Sequence, residues 1–315
     1  MPNYEGGGIM NQKMKKIIVT WFLSLGLVLS VAAGAYAYSS VLGFGDSLSD
    51  NGQYELNGSP YAAVGNNNLY DQFGFQRFSN GPVWVEYLAQ DLGASLLDMA
   101  YGGATSGWDN PAAGLVDNPA TPGVNEGITG LQWQVGVYNS VFGNVADNTL
   151  VTISAGGNDM FNGRDATQAA LNIAGTISYL IGIGADDFMI MNLATTQQPA
   201  PYVAWMNEFN AALSASLGTL DALNPGVDLY LLDLTKLTLD IDNSTGTWLA
   251  NCAANPAACE GTTYAWWDTV GVHPTTEVHA QIGAYAASMV PEPATLMLLG
   301  LGLLGLLSIR RRVRK

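Results

Sequence analysis

The chain has 315 residues, 48% hydrophobic and 12% charged, and a formal net charge of −15 from 26 Asp and Glu against 11 Lys and Arg. Eight of those cations sit in the two ends, so residues 38–290 keep only Arg77, Arg164 and Lys236 against 24 carboxylates, a net charge near −21. That balance excludes a nucleic-acid partner and tight docking on anionic lipid.

The first 37 residues read as an address. Residues 1–13 are glycine-rich and polar. Met14-Lys-Lys opens a basic region, Ile17 to Ala33 is apolar, and Ala35-Tyr-Ala37 is a small-x-small cleavage site. This is the pattern of a secretory signal peptide removed by signal peptidase. The rival reading is a retained N-terminal anchor.

Val41 to Phe44 predicts a short buried strand running into Gly45-Asp46-Ser47, with a helix starting within a few residues. A hydroxyl at the end of a parallel strand and the mouth of the next helix sits where open α/β sheets bind ligands. Ser47 is therefore a candidate nucleophile; a helix-capping serine is the rival. Residues 56–80, rich in Gly, Asn, Tyr and Phe, predict a long loop beside the site. Pro82 to Leu92 carries apolar residues at 84, 85, 88, 89 and 92, a helical stripe. Ser95 to Met99 predicts a second strand, ending at Ala100-Tyr-Gly-Gly-Ala-Thr-Ser106. Trp108 to Gly130 lacks periodicity and predicts a loop; Leu131 to Phe142 predicts a helix.

Thr149 to Ser154 is a β-branched strand ending at Ala155-Gly-Gly-Asn-Asp159. Asp165 to Gly182 predicts a helix, Phe188 to Leu193 a strand, Tyr202 to Leu223 a long helix and Val227 to Leu234 a fifth strand. Thr235 to Thr263 is irregular and holds Cys252 and Cys259. In an oxidising compartment these two are expected to close one local disulfide; metal binding is the weaker rival, with neither histidine near them in sequence. His273-Pro274 then opens a last helix, Thr275 to Met289. The alternation predicts an α/β fold, a three-layer αβα sandwich around a doubly wound parallel sheet of about five strands, with no domain boundary inside residues 38–290.

Three strand ends stop in polar glycine turns, and the topology gathers them at the carboxyl edge of the sheet. Ser47, Gly103 and Asn158 then come together. A glycine N–H and an asparagine amide are the donors that an oxyanion hole requires. A serine nucleophile also needs a base. The chain holds two histidines, His273 and His279. His273, at a helix start after a loop, is the candidate base; His279 is expected to face elsewhere. Ser154 lies in Thr152-Ile-Ser-Ala-Gly156, where Thr stands at the first glycine of a nucleophile elbow, and is set aside. No P-loop, dinucleotide fingerprint or zinc motif is present, so no cofactor or metal is expected.

Four segments carry a resemblance: Gly45-Asp-Ser-Leu-Ser-Asp-Asn-Gly52, Ala100-Tyr-Gly-Gly-Ala-Thr105, Ile153-Ser-Ala-Gly-Gly-Asn-Asp159 and His273-Pro-Thr275. In this order they resemble the four blocks of the GDSL esterase/lipase family, the SGNH hydrolases, and the likeness spans Val41 to about Met289. The resemblance implies a flavodoxin-like SGNH fold with Ser47 as nucleophile and its own N–H in the oxyanion hole. It also implies Gly103 and Asn158 as the other donors and His273 as base. The family usually carries Asp-x-x-His-Pro, whereas here Asp268 stands four residues clear of His273. Asp268 is the candidate to orient the imidazole, and a backbone carbonyl is the alternative. Asp98 stands where many members carry Asn, which bears on strand-end hydrogen bonds.

The C-terminal end reads Val290-Pro-Glu-Pro-Ala294, an apolar run Thr295 to Ile309, and Arg310-Arg-Arg-Val-Arg-Lys315. This tripartite end resembles the PEP-CTERM sorting signal, which implies processing by an exosortase. The apolar run suits a transmembrane segment with a cytoplasmic basic tail; an ordinary membrane anchor is the rival. The expected product is a secreted or surface-held serine esterase or lipase acting on small-molecule or lipid esters. Two alternatives are a carbohydrate O-acetyl esterase, with Trp108, Trp248, Trp266 and Trp267 as stacking candidates, and a non-catalytic surface protein of the exopolysaccharide layer.

Overall fold

The apolar runs form five strands: β1 (Ser40–Gly45), β2 (Ser95–Asp98), β3 (Thr149–Ser154), β4 (Asp187–Met191) and β5 (Asp228–Leu232). The structure is a computed structural model, and it describes residues 38–52, 77–79, 81–111, 126–196, 200–238 and 273–291. All strand pairs are parallel, in the order β2-β1-β3-β4-β5. Every residue of β3 is buried, as are all of β1 after Ser40. Continuous apolar runs belong to strands covered on both faces, which is why these segments do not alternate in polarity.

Among the described residues, six bounded helices flank the sheet: α1 (Trp84–Leu92), α2 (Leu131–Phe142), α3 (Gly157–Phe161), α4 (Ala166–Gly182), α5 (Ala200–Leu223) and α6 (Thr276–Met289); residues 234–238 are also helical. One core joins Leu42, Phe44, Val151, Ile153, Phe188 and Ile190 to side chains of α2, α4 and α5, among them Leu131, Ile177 and Phe209. The intervening strand residues, such as Val41, Leu150 and Met189, point to the opposite face by the two-residue period. There α1 packs against α6. The architecture is the expected three-layer α/β sandwich.

Local signals explain the ends. The Asp165 carboxylate accepts the Gln168 N–H and caps α4, and Gly93 closes α1 in the left-handed region at φ 63°. Within the described residues of this stretch, which run to Gly52, no helix starts after Ser47. Instead the Asp46 carbonyl accepts the N–H groups of Ser49 and Asp50, both at 3.0 Å, and the Asp46 carboxylate takes the Leu48 N–H at 3.1 Å. The result is a single closed turn. Short carboxylate side chains compete in this way with helix propagation. Helix α3 was not expected; five residues are too few to show a period. A 3-10 turn, Glu126–Ile128, lies in the stretch expected as loop.

Asp268, Cys252, Cys259, Trp248, Trp266, Trp267, the N-terminal address and the C-terminal apolar run lie outside the described residues. Among the described residues no helix is long and apolar enough to cross a membrane.

Candidate active site

The end of β1 is held from three sides. Gly45 pairs in register with Ser154, and a Cβ there would lie 2.1 Å from the Ser154 carbonyl oxygen. Its φ of +146° also disfavours any side chain. The Asp46 N–H donates to that same carbonyl at 2.9 Å. From α2, the fully buried Gln134 accepts the Gly45 N–H on Oε1 at 2.9 Å and donates Nε2 to the Gly45 carbonyl at 2.8 Å. The Tyr101 N–H donates to that carbonyl as well, at 3.1 Å. Ser47 is thus carried on a backbone fixed two residues earlier.

His273 Nε2 lies 2.8 Å from Ser47 Oγ, in hydrogen-bond contact across 226 residues of sequence. His273 has its own supports. Ser79 Oγ donates to the Pro274 carbonyl at 3.0 Å, and the Phe78 ring lies 5.1 Å from the imidazole, centroid to centroid, tilted by 35°. Phe78 also occupies the space above Gly102, where a Cβ would come within 2.3 Å of the ring. Behind them, His279 on α6 accepts the Trp84 N–H on Nδ1 at 3.2 Å, and Trp84 Nε1 donates to Ser49 Oγ at 3.0 Å. One buried chain of contacts therefore runs from α6 through α1 to the nucleophile's turn. With Nδ1 accepting, the neutral His279 ring carries its proton on Nε2, which has no partner. Burial, and then the charge of His273, push His279 down to about 3, so it stays neutral.

The oxyanion side is built from the ends of β2 and β3. Asp50 Oδ2 accepts the Gly102 N–H at 2.7 Å, and Asn158 Nδ2 donates to the Ala104 carbonyl at 3.0 Å. Gly103, at φ +83°, lies between these two ties. Among the described residues neither the Ser47 N–H nor the Gly103 N–H donates to an acceptor. Asp98 accepts the N–H groups of Asn51 and Ala100, the strand-end role expected of it. Its pKa stands well above the ordinary carboxylate range, through burial and then the Asp50 charge.

Burial likewise lifts Asp46 to about 7. The Leu48 N–H and the His273 charge oppose that rise, and the Asp159 charge adds to it. Asp159 accepts from Ser106 N and Oγ at 2.8 and 2.9 Å and is raised by its burial. Ser154, the serine set aside, is buried with its hydroxyl on Met191 Sδ. Among the described residues no group of three His, Cys, Asp or Glu side chains is placed to hold a metal ion.

The structure thus brings Ser47, His273, Gly103 and Asn158 to one sheet edge. Sequence reasoning missed Gln134, Trp84, Phe78 and the place of His279. Gln134 left a readable signal: it is the one polar residue in the buried α2 stripe of Leu131, Gln134, Val135 and Tyr138. A cavity of about 920 Å³, its open mouth included, adjoins Ser47, Leu48, Gly157 and Asn158.

Residues 41–286 match the GDSL-like lipase/acylhydrolase family, and residues 290–312 match the PEP-CTERM protein-sorting motif. The chain is 27% identical over 281 residues to the thermolabile hemolysin of Vibrio parahaemolyticus, covering 78% of this chain and 62% of the hemolysin. It is 27% identical over 272 residues to the phosphatidylcholine-sterol acyltransferase of Aeromonas hydrophila, covering 80% and 75%. Among solved structures it resembles a lipolytic G-D-S-L family protein of Veillonella parvula, at 15% identity and a TM-score of 0.45, over 80% of this chain and 97% of that one. A similar likeness holds to the esterase EstA of a Pseudoalteromonas species, at 15% identity and a TM-score of 0.44, over 80% and 96%. With its family match running from the nucleophile strand into the last helix, the chain belongs to the GDSL-like lipase/acylhydrolase family and carries a PEP-CTERM sorting motif at its C-terminal end.

Proposed function

We propose that this protein is an exported serine hydrolase of carboxylic esters. The observation that carries the reading is the 2.8 Å contact between Ser47 Oγ and His273 Nε2, beside two N–H groups that meet no acceptor among the described residues. Ser47 Oγ bonds to the ester carbonyl carbon as its proton passes to His273 Nε2. The developing oxyanion is met by the N–H groups of Ser47 and Gly103 and by Asn158 Nδ2. Collapse expels the alcohol, which takes the proton from His273 and leaves an acyl group on Ser47. Water then repeats the sequence and frees the acid. Asp268 is the proposed orienting partner of the imidazole. Signal peptidase and an exosortase-type enzyme are the proposed processing partners.

A second reading keeps the acyl-enzyme but passes the acyl group to an alcohol. The acyltransferase name of the Aeromonas relative favours it. The O-acetyl esterase reading has less behind it: Trp108 is exposed but lines a separate groove with Tyr179, between α2 and α4.

The test is labelling with a fluorophosphonate and hydrolysis of p-nitrophenyl esters, alone and with added alcohols. Labelling and turnover that vanish together in Ser47→Ala are expected, and ester product in the presence of alcohol would select transfer. A wild-type chain that neither labels nor turns over points to the non-catalytic reading.

A further inference from the structure

Phe78 is a buried aromatic residue that the hydrolytic steps leave unexplained. It stands apart from the core that joins the sheet to α2, α4 and α5. Its ring lies instead in the site, 5.1 Å from the His273 imidazole, centroid to centroid, with the two planes 35° apart. The bare backbone of Gly102 makes room for it on the other side.

Both chain neighbours of Phe78 are tied to other elements. Arg77 donates Nε and Nη2 to the two oxygens of Glu86 on α1, at 2.6 and 2.5 Å. Glu86 Oε2 also accepts the Val83 N–H at 2.8 Å, which fixes that carboxylate at the start of α1. Ser79, fully buried, donates Oγ to the Pro274 carbonyl at 3.0 Å. A three-residue strap thus runs from α1 to the residue after His273 and carries the ring to the imidazole. The Arg77 charge is already met by Glu86, so the strap brings an aromatic face to the histidine rather than a net positive charge.

We infer that Phe78 stabilises the positive charge that His273 gains when it takes the Ser47 proton. The inference rests on the serine-hydrolase reading. An aromatic face is the negative part of the ring's quadrupole. A cation within about 6 Å of the ring centroid is attracted to it. The neutral imidazole draws less from the same ring, so the attraction grows along the reaction path, and interactions that grow in this way raise the rate. Burial of Phe78 limits the water that would screen it. The proton passes from Ser47 Oγ to His273 Nε2 and then to the leaving alcohol; Phe78 makes and breaks no bond. The charge arises once in acylation and again when water attacks, so both steps gain. An orienting acceptor such as the proposed Asp268 would act in the plane of the imidazole, whereas Phe78 acts from outside that plane. Phe78 is therefore a positioning residue whose effect is electrostatic as well as steric.

The experiment uses the full chain, its active sites counted by fluorophosphonate labelling, and measures kcat and KM on p-nitrophenyl butyrate. Phenylalanines carrying one, two or three ring fluorines are incorporated at position 78 alone. Fluorine draws charge from the ring face and barely changes its size. kcat should fall in graded steps, about twofold for one fluorine and about fivefold for three, with KM little changed. Phe78→Leu, which removes the ring, should lower kcat about tenfold. Arg77→Gln, which loosens the strap, should lose part of that factor and flatten the fluorine series. A labelled enzyme whose kcat is the same across the fluorinated forms has a ring that only packs; that result would overturn the inference and leave the hydrolase reading standing, whatever Phe78→Leu does. A loss carried by KM alone would overturn it as well. Full kcat or an unflattened series in Arg77→Gln would overturn the anchoring by the strap. Absence of labelling in the wild-type chain would overturn the hydrolase reading itself, and the role of Phe78 with it.

Discussion

The Asp50 carboxylate accepts the Gly102 N–H at 2.7 Å, a bond from the nucleophile's own turn to the strand end that carries Gly103. Its other oxygen accepts the Gly52 N–H at 2.9 Å. One side chain thus closes the turn after Ser47 and sets the neighbour of Gly103, a proposed oxyanion donor. Asp50→Asn keeps one acceptor oxygen and should lower kcat about tenfold. Asp50→Ala keeps none and should lower it about a hundredfold, with KM little changed in either. Steady-state kinetics on a short p-nitrophenyl ester check this, and a loss confined to KM would count against the aligning role.

The chain from His279 through Trp84 to Ser49 should behave as a strut between α6 and the nucleophile turn. Trp84→Phe keeps the ring, removes the indole N–H and leaves the buried Ser49 hydroxyl short of a donor. A stability loss of about 1–3 kcal/mol is expected, with kcat reduced more than KM is raised. His279→Asn offers an acceptor near the place of Nδ1 and should retain more activity than His279→Leu. Equal activity in those two variants would show that packing alone matters there.

Glycine positions should split sharply. Gly45→Ala puts a methyl group 2.1 Å from the Ser154 carbonyl oxygen at a φ of +146°, and should leave little folded protein. Gly175 lies within α4 with nothing near its missing Cβ. Gly175→Ala should stabilise by about 0.5–1 kcal/mol. Denaturant melts of both variants read the difference directly.

Stability should fall as the pH passes through neutrality. Burial raises Asp46 from 3.8 to about 7, so the native state holds this proton more tightly than the unfolded chain. The contribution is complete below about pH 3.8 and is lost as the pH rises to about 7. Asp98 and Asp159 shift the same way through burial. His279 works in the opposite sense. Lowered from 6.5 to about 3, it favours the fold above pH 6.5 and disfavours it progressively as the pH falls toward 3. Above pH 6.5 the carboxyl groups therefore govern, and Tm should decline from about pH 6.5 to 7.5. Asp46→Asn, which keeps an acceptor for the Leu48 N–H, should flatten that decline. Melting followed by circular dichroism would show it; a Tm that climbs over this interval would be inconsistent with it.

The sheet was legible because its strands are unbroken apolar runs between glycine turns, such as Thr149 to Ser154 before Ala155-Gly-Gly. Ser47 and His273 could be singled out because few residues of their type occur at strand ends or helix starts, and the structure brings the two side chains within 2.8 Å. What pairs with them was less so. The Trp84–His279 bond and the Ser79–Pro274 bond each join residues 195 positions apart, and no local pattern records such a meeting. His279 does face elsewhere than Ser47, as expected, but its burial against α1 was not foreseen, since a helix position gives a direction and not the neighbour found there. As far as Gly52, the helix expected after Ser47 gives way to a turn because Asp46 and Asp50 spend their carboxylates on nearby N–H groups.

The 226 positions between Ser47 and His273 also set the order in which the molecule becomes capable. All five strands among the described residues are complete at Leu232, well before His273 is reached. A chain emerging from the ribosome can therefore lay down all the described strands, with Ser47 seated after Gly45, before the proposed base is made. On the proposed mechanism, activity would arrive only when α6 docks on α1 and brings His273 with it. On that reading, folding and competence would be separate events, and a cut anywhere between residues 233 and 272 should yield the described strands with Ser47 but without its proposed base.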